Sequence, residues 1–154
     1  MNEAGNSPLY LRQALRFSCT GCGTCCTGSD EYGVFVTGQE IHTIRRTLDI
    51  GEAWLRRRYI RREEGGWLLR SDSHGRCVFL RPDKGCRIYA ARPVQCRTYP
   101  FWPELMRHTK DWRREGQRCE GIGRGPVVAK TVIIRALRQQ QQVNLCYERE
   151  RTEV

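Results

Sequence analysis

A chain of 154 residues, 39% hydrophobic and with a net charge of +10, has room for one domain but is lean in the apolar side chains that would build its core. No stretch approaches 18 consecutive apolar residues, which excludes a membrane-spanning helix, and the opening MNEAGNSPLYLRQALRF lacks the apolar run of a secretory signal. The expected compartment is therefore the reducing cytoplasm, where nine cysteines, an odd number, argue against a disulfide framework and for metal ligation.

Residues 1–8 read as a loose leader. Leu9 to Arg16 predicts a short helix with Leu11 and Leu15 on one face. Residues 17–31 form a first cysteine segment, in which Gly21, Gly23 and Gly28 permit tight turns and bring backbone N–H groups close to whatever the thiolates hold. YGVFV at 32–36 predicts a strand. Thr37 with Glu40 three residues on is a capping-box pattern. It opens a helix over 38–48 with Ile41, Ile44 and Leu48 on one stripe. Gly51 separates this from a second helix over 52–60, anchored by Trp54, Leu55 and Tyr59. Gly65-Gly66 marks a turn into a strand, WLLR at 67–70. Cys77-Val-Phe-Leu80 reads as a strand entering a second cysteine region, which runs to about Gly125 and is expected to be mostly loops and short turns. Residues 127 to about 142 predict a last helix with Val128, Val132, Ile133, Ala136 and Leu137 on its apolar face. No repeat and no linker divides the chain.

The cysteines carry the chemistry. Cys19, Cys22, Cys25 and Cys26 form C-x2-C-x2-C-C, and Cys77, Cys86, Cys96 and Cys119 follow at long spacing. Successive C-x2-C steps resemble the opening of an iron–sulfur ligand run more than a simple zinc finger. Adjacent side chains diverge, so Cys25 and Cys26 are not expected to bind one ion together; they would serve two sites, or one would be a supporting thiol. The eight thiols suit two four-cysteine centres, or one centre with cysteines to spare. Four cysteines are also a standard structural zinc set, and spacing does not separate zinc from iron–sulfur. Cys146, in a polar helical tail, reads as a spare thiol. A thiol–disulfide exchanger would want a βαβ setting around Cys22, and none is visible.

In this order, Phe17-Ser-Cys19-Thr-Gly-Cys22-Gly-Thr-Cys25-Cys26, Cys77-Val-Phe-Leu80, Cys86-Arg-Ile-Tyr89-Ala-Ala-Arg92-Pro93-Val-Gln-Cys96-Arg97-Thr-Tyr99-Pro100-Phe101 and Cys119-Glu-Gly121 resemble the CxxCxxCC, or YkgJ-type, cysteine cluster family. Glu120 departs from the Pro-Gly that often follows the family's closing cysteine. The resemblance covers residues 17–125. It implies a zinc- or iron-chelating domain, often labelled iron–sulfur, and a distant kinship with flagellin lysine methylases.

Beside this, Arg92 and Arg97 flank Cys96 as permanent positive charges suited to offset a thiolate cluster. Tyr89, Tyr99, Phe101 and Trp102 suit a water-excluding wall or ordinary core. His42, His74 and His108 show no ligand spacing; His74, three residues before Cys77, is the one candidate donor among them. Glu63-Glu64 and Asp30-Glu31 show no pairing for acid–base catalysis. Arg56-Arg57-Arg58 with Arg61-Arg62 is the one dense basic run.

These readings give an α+β fold: a small irregular single domain, residues 1–154, organised around cysteine-ligated metal. Short strands and a few helices form the cluster region 17–125, and 126–154 forms a C-terminal helix and tail. The expected metal ligands are Cys19, Cys22, Cys25, Cys26, Cys77, Cys86, Cys96 and Cys119, with Arg92 and Arg97 supporting. The favoured cofactor is an iron–sulfur cluster of the [4Fe–4S] type, with zinc as the alternative. The expected function is redox, sensing or metal handling with a redox or protein partner and no membrane. The alternatives are a zinc-stapled nucleic-acid-binding module, which is not favoured, and a cluster-dependent protein-modifying enzyme.

Overall fold

The computed structural model describes residues 7–28 and 33–153. The leader up to residue 6, Asp30-Glu31 and the first residue of the expected strand, Tyr32, lie outside them. Six helices appear in chain order among the described residues: α1 (Leu9–Arg12), α2 (Gly38–Leu48), α3 (Glu52–Tyr59), α4 (Val94–Thr98), α5 (Thr109–Arg118) and α6 (Lys130–Thr152). The strands are β1 (Arg16–Phe17), β2 (Phe35–Val36), β3 (Ile60–Glu63), β4 (Gly66–Leu69) and β5 (Ile122–Val127). They make two antiparallel sheets, one of order β2-β4-β3 and one pairing β1 with β5. The chain is α+β, with a long C-terminal helix.

Local chemistry explains the elements that sequence made legible. Glu40 N–H donates to Thr37 Oγ1 at 3.1 Å and Thr37 N–H donates to Glu40 Oε2 at 2.8 Å, so the capping box forms in full and α2 starts where expected. Glu64 and Gly65 both take positive φ, 51° and 78°, which closes β3 and β4 as a two-residue hairpin. The expected helix over 52–60 therefore ends at Tyr59, and Ile60 begins a strand instead.

Each sheet carries its own core. Val34, Val36, Ile41, Ile44, Leu55, Ile60, Leu69, Phe79 and Ile88 pack around the three-stranded sheet. Leu9, Leu15, Phe101, Met106, Trp112 and Ile133 pack beneath β1 and β5. Helix α6 serves both: Ile133 lies in the second core, while Tyr147 packs its ring against Phe35 of β2.

Several expectations are corrected. Leu9, not Leu11, is the buried residue of α1, because the helix stops at Arg12 and the chain extends to bring Leu15 inward. Trp54 is exposed; the anchors of α3 are Leu55 and Tyr59. Cys77–Leu80 is a turn, closed by Leu80 N–H donating to the Cys77 carbonyl, and not a strand. Helix α5 and strand β5 occupy a region read as loops. Helix α6 runs ten residues past Gln142, burying Val143 and Tyr147 and leaving Val132 exposed.

Candidate metal centre

The first cysteine segment is held at both ends. Ser18 N–H donates to the Gly121 carbonyl at 3.1 Å as β1 meets β5. Any Cβ at Gly121 would lie 2.4 Å from the Ser18 carbonyl oxygen, so only glycine lets the strands approach this closely. The pairing sets the segment bearing Cys19 beside the one bearing Cys119, and Thr20 Oγ1 donates to Glu120 Oε1 across it at 2.5 Å. Gly23 adopts φ 76° and rests on the Lys84 carbonyl and the Leu80 side chain. The Thr24–Cys26 turn then presents the Cys26 carbonyl to Cys77 N–H at 2.7 Å. One backbone hydrogen bond thus staples the first cysteine segment to the second.

The second region is a chain of tight turns. The Asp72 carboxylate accepts from the N–H groups of His74 and Arg76, and Asp83 accepts from Gly85 N–H. Isolated bridges join Ser71 to Cys77 and Leu80 to Cys86. Cys96 rides on α4, which is clamped to the first sheet. Val94 N–H, an orphan donor at the helix start, donates to Glu40 Oε1 at 2.7 Å. The Gln95 side chain accepts from Phe35 N–H at 3.1 Å and donates to the Gly33 carbonyl at 2.8 Å, completing the edge of β2. Thr98 Oγ1, buried, donates to Gln140 Oε1 of α6 at 2.8 Å.

These constraints bring five thiols from three segments into one electrostatic neighbourhood. Cys25 is held low, at about 6, first by the hydrogen bond from the Cys26 thiol and then by its own backbone N–H and the Arg92 and Arg118 guanidinium groups. Cys26, the donor of that bond, is raised by it, by burial and by the charges of Cys25, Cys77 and Cys86. Burial raises Cys77 to about 11, with Cys86 and Cys25 adding repulsion. Burial also raises Cys86 and Cys96, and Arg92 opposes the shift at both. Cys25 stands as the thiolate of the group, and the others as thiols poised around it.

The remaining thiols have surroundings of their own. The Cys22 thiol donates to Thr24 Oγ1 at 3.2 Å; hydrogen bonding with the Thr24 side chain and backbone lowers Cys22, which also sits near Thr20 and Glu120. Cys119 lies beside the Tyr99 hydroxyl, which donates to Glu115 Oε1 at 2.5 Å. Cys19 is exposed. Cys146 lies on α6, where Arg149 donates to its sulfur. His74 is an exposed turn residue. None of the nine cysteines is in a disulfide, and among the described residues no three His, Cys, Asp or Glu side chains form a ready-made ligand shell.

Arg92 places its charge among the thiols; it also donates to the Tyr89 carbonyl and covers the Tyr89 ring at 3.9 Å. Arg97 props that loop from outside, donating to the Arg92 carbonyl at 3.1 Å. Phe101 belongs to the second core, stacked on Trp112, and Trp102 packs edge-on against Tyr99. Arg118 was missed in the sequence. It ends α5, donates to the Thr27 carbonyl and lends its charge to Cys25. Only its adjacency to Cys119 hinted at a role.

The model of the CxxCxxCC family, described as "Putative zinc- or iron-chelating domain", matches residues 18–120. The chain belongs to this CxxCxxCC family. The match takes in all the expected ligand cysteines, so the CxxCxxCC domain includes both the five-thiol neighbourhood and Cys19, Cys22 and Cys119. The chain is also similar to "Uncharacterized protein MJ0661" of Methanocaldococcus jannaschii, 31% identical over 94 residues, which is 60% of this chain. The matched part spans about half of that relative, 48% of its length. No solved structure matches the chain. No helix among the described residues is long and apolar enough to cross a membrane.

Proposed function

We propose that this CxxCxxCC domain holds an iron–sulfur cluster of the [4Fe–4S] type and serves a redox, sensing or metal-handling role. The observation that supports it is that Cys25, Cys77, Cys86 and Cys96 lie within electrostatic reach of one another, with the Arg92 and Arg118 guanidinium groups near Cys25. The donor set fits: soft thiolates suit iron–sulfur clusters and zinc alike. The arginines suit either centre, since four thiolates outweigh the charge of a zinc ion and of a cluster alike. A four-thiolate centre is an anion, and Arg92 and Arg118 lie where positive charge would offset it and tune a potential. Exposure of Cys25 leaves the centre open to solvent or a partner, which suits electron exchange or sensing better than a sealed structural staple.

In this reading Cys25, Cys77, Cys86 and Cys96 are the ligands. Cys26 supports Cys25 through its hydrogen bond, and α4 and the Cys26–Cys77 backbone bond position the donors. When bound, the cluster supplies one-electron chemistry or lability toward oxidants. The protein's part is to gather the thiols and balance their charge. Cys19, Cys22 and Cys119 are not part of this ligand set.

The test is iron, zinc and acid-labile sulfide analysis with a visible spectrum on protein purified without oxygen, alongside Cys77→Ser. Iron and sulfide in matching amounts, lost in the variant, are expected. Zinc without sulfide overturns the cluster and leaves a zinc domain. Metal content unchanged in Cys77→Ser overturns the ligand set.

A further inference from the structure

Outside the thiol centre, the strongest feature is a groove of about 640 Å³ between the end of α3 and the turns of residues 70–87. Arg58, Arg70, Arg76, Arg81 and Arg87 line it against a single carboxylate, Asp72. Arg58 and Arg70 also line a neighbouring hollow of about 520 Å³, together with Arg57 and Trp54, so the two form one elongated, two-lobed surface.

Arg76 and Arg81 are balanced by Asp72 at 2.8 Å and Asp83 at 2.6 Å. Among the described residues, Arg57, Arg58, Arg70 and Arg87 form no ion pair. Arg58 and Arg87 share the Tyr59 ring, each 5.9 Å from its centre, and Arg87 donates to the Tyr59 hydroxyl at 3.3 Å. Like charges gathered around one cavity repel, and within the fold only the contacts with the Tyr59 and Trp54 rings and the Arg87–Tyr59 hydrogen bond offset this. Trp54 is 47% exposed at the far lobe, with Arg57 4.9 Å from its ring centre. Unbalanced guanidinium groups in a groove, with an indole at one end, are the parts of a polyanion site with a stacking platform.

We propose that this groove binds single-stranded nucleic acid, its phosphates on the arginines and one unpaired base on Trp54. The two features together choose the ligand. An acidic peptide would satisfy the arginines but offer Trp54 no flat partner. A duplex keeps its bases stacked and out of reach. A free nucleotide would fill one lobe and leave the other in water. The groove is formed by the end of α3 and the turns of residues 70–87, so its test does not depend on which metal the thiols hold, although Cys77 also lines it.

The experiment is fluorescence anisotropy of a labelled single strand of about 12 nucleotides, in RNA and DNA forms, titrated with the full chain as purified. Contacts to roughly four phosphates predict a slope of log K against log salt of about −3. Arg58→Gln with Arg70→Gln should weaken binding at least about tenfold and shallow the slope by about 1.4. Trp54→Ala should weaken it roughly five- to a hundredfold with the slope unchanged. Arg135→Gln with Arg138→Gln, exposed on α6 and outside the groove, removes the same charge and should change affinity less than about twofold. Circular dichroism melts confirm that each variant is folded. Equal weakening by the α6 pair reduces the effect to net charge and overturns the proposal. So does a silent Trp54→Ala, or competition by a duplex or by polyglutamate as effective as that by unlabelled single strand.

Discussion

Glu40 is the point where the helix cap and the thiol region depend on one side chain. Its Oε2 accepts from Thr37 N–H at 2.8 Å and from the Tyr147 hydroxyl at 3.4 Å, and its Oε1 accepts from Val94 N–H at 2.7 Å. Glu40→Ala removes half of the capping box, worth about 1 kcal/mol. It also removes a charge-assisted bond to the first turn of α4, worth about 1.5–3 kcal/mol. Together the loss is about 3 kcal/mol, with a fall in Tm of roughly 6–12 °C for a chain of this size. Thr37→Ala breaks only the cap and should cost about 1 kcal/mol. Urea titration of both metal-free proteins measures the difference. Hydrogen exchange at Val94 and Cys96 should rise in Glu40→Ala and stay near wild type in Thr37→Ala. Equal destabilisation by the two variants, or unchanged exchange on α4, would refute the claim that this carboxylate ties α4, and with it Cys96, to α2.

Two further outcomes follow from the site. Cys77, Cys86 and Cys96 are raised by burial and stay protonated at neutral pH, whereas Cys25, at about 6, is already a thiolate. Metal taken by these four must expel protons from the first three, so affinity rises with pH; zinc calorimetry at pH 7.5 in buffers of different ionisation enthalpy should show about three protons released, and release near zero would contradict the assignment. Gly121→Ala should destabilise by about 1–3 kcal/mol, because the new Cβ collides with a backbone oxygen that cannot swing away. It should also raise the accessibility of Cys119 to a thiol reagent, and a wild-type melt would show that β1 and β5 have slack.

What the sequence by itself determined was set by rules that act over a few residues. The Thr37–Glu40 box, the turn at Gly65, the stripe of Ile41 and Ile44 and the tight turns at Gly21 and Gly23 are each decided by neighbours along the chain. The identity of the thiols as the chemistry-bearing groups was equally legible, since soft donors at C-x2-C spacing suit metal whatever surrounds them. Only the tertiary structure decided how the thiols divide. Cys25 and Cys26 come within electrostatic reach of Cys77, Cys86 and Cys96 because the Cys26 carbonyl accepts from Cys77 N–H and because Glu40 and Gln95 dock α4 against α2 and the first sheet. Arg118 reaches Cys25 because α5 and β5 return the chain to β1, a pairing between segments with no shared local signal. Cys77–Leu80 looked like a strand for the same reason: its apolar residues are core, but a turn buries Phe79 as completely as a strand would. Local propensity specifies which elements can form, whereas burial and long-range hydrogen bonding choose which distant residues share a site.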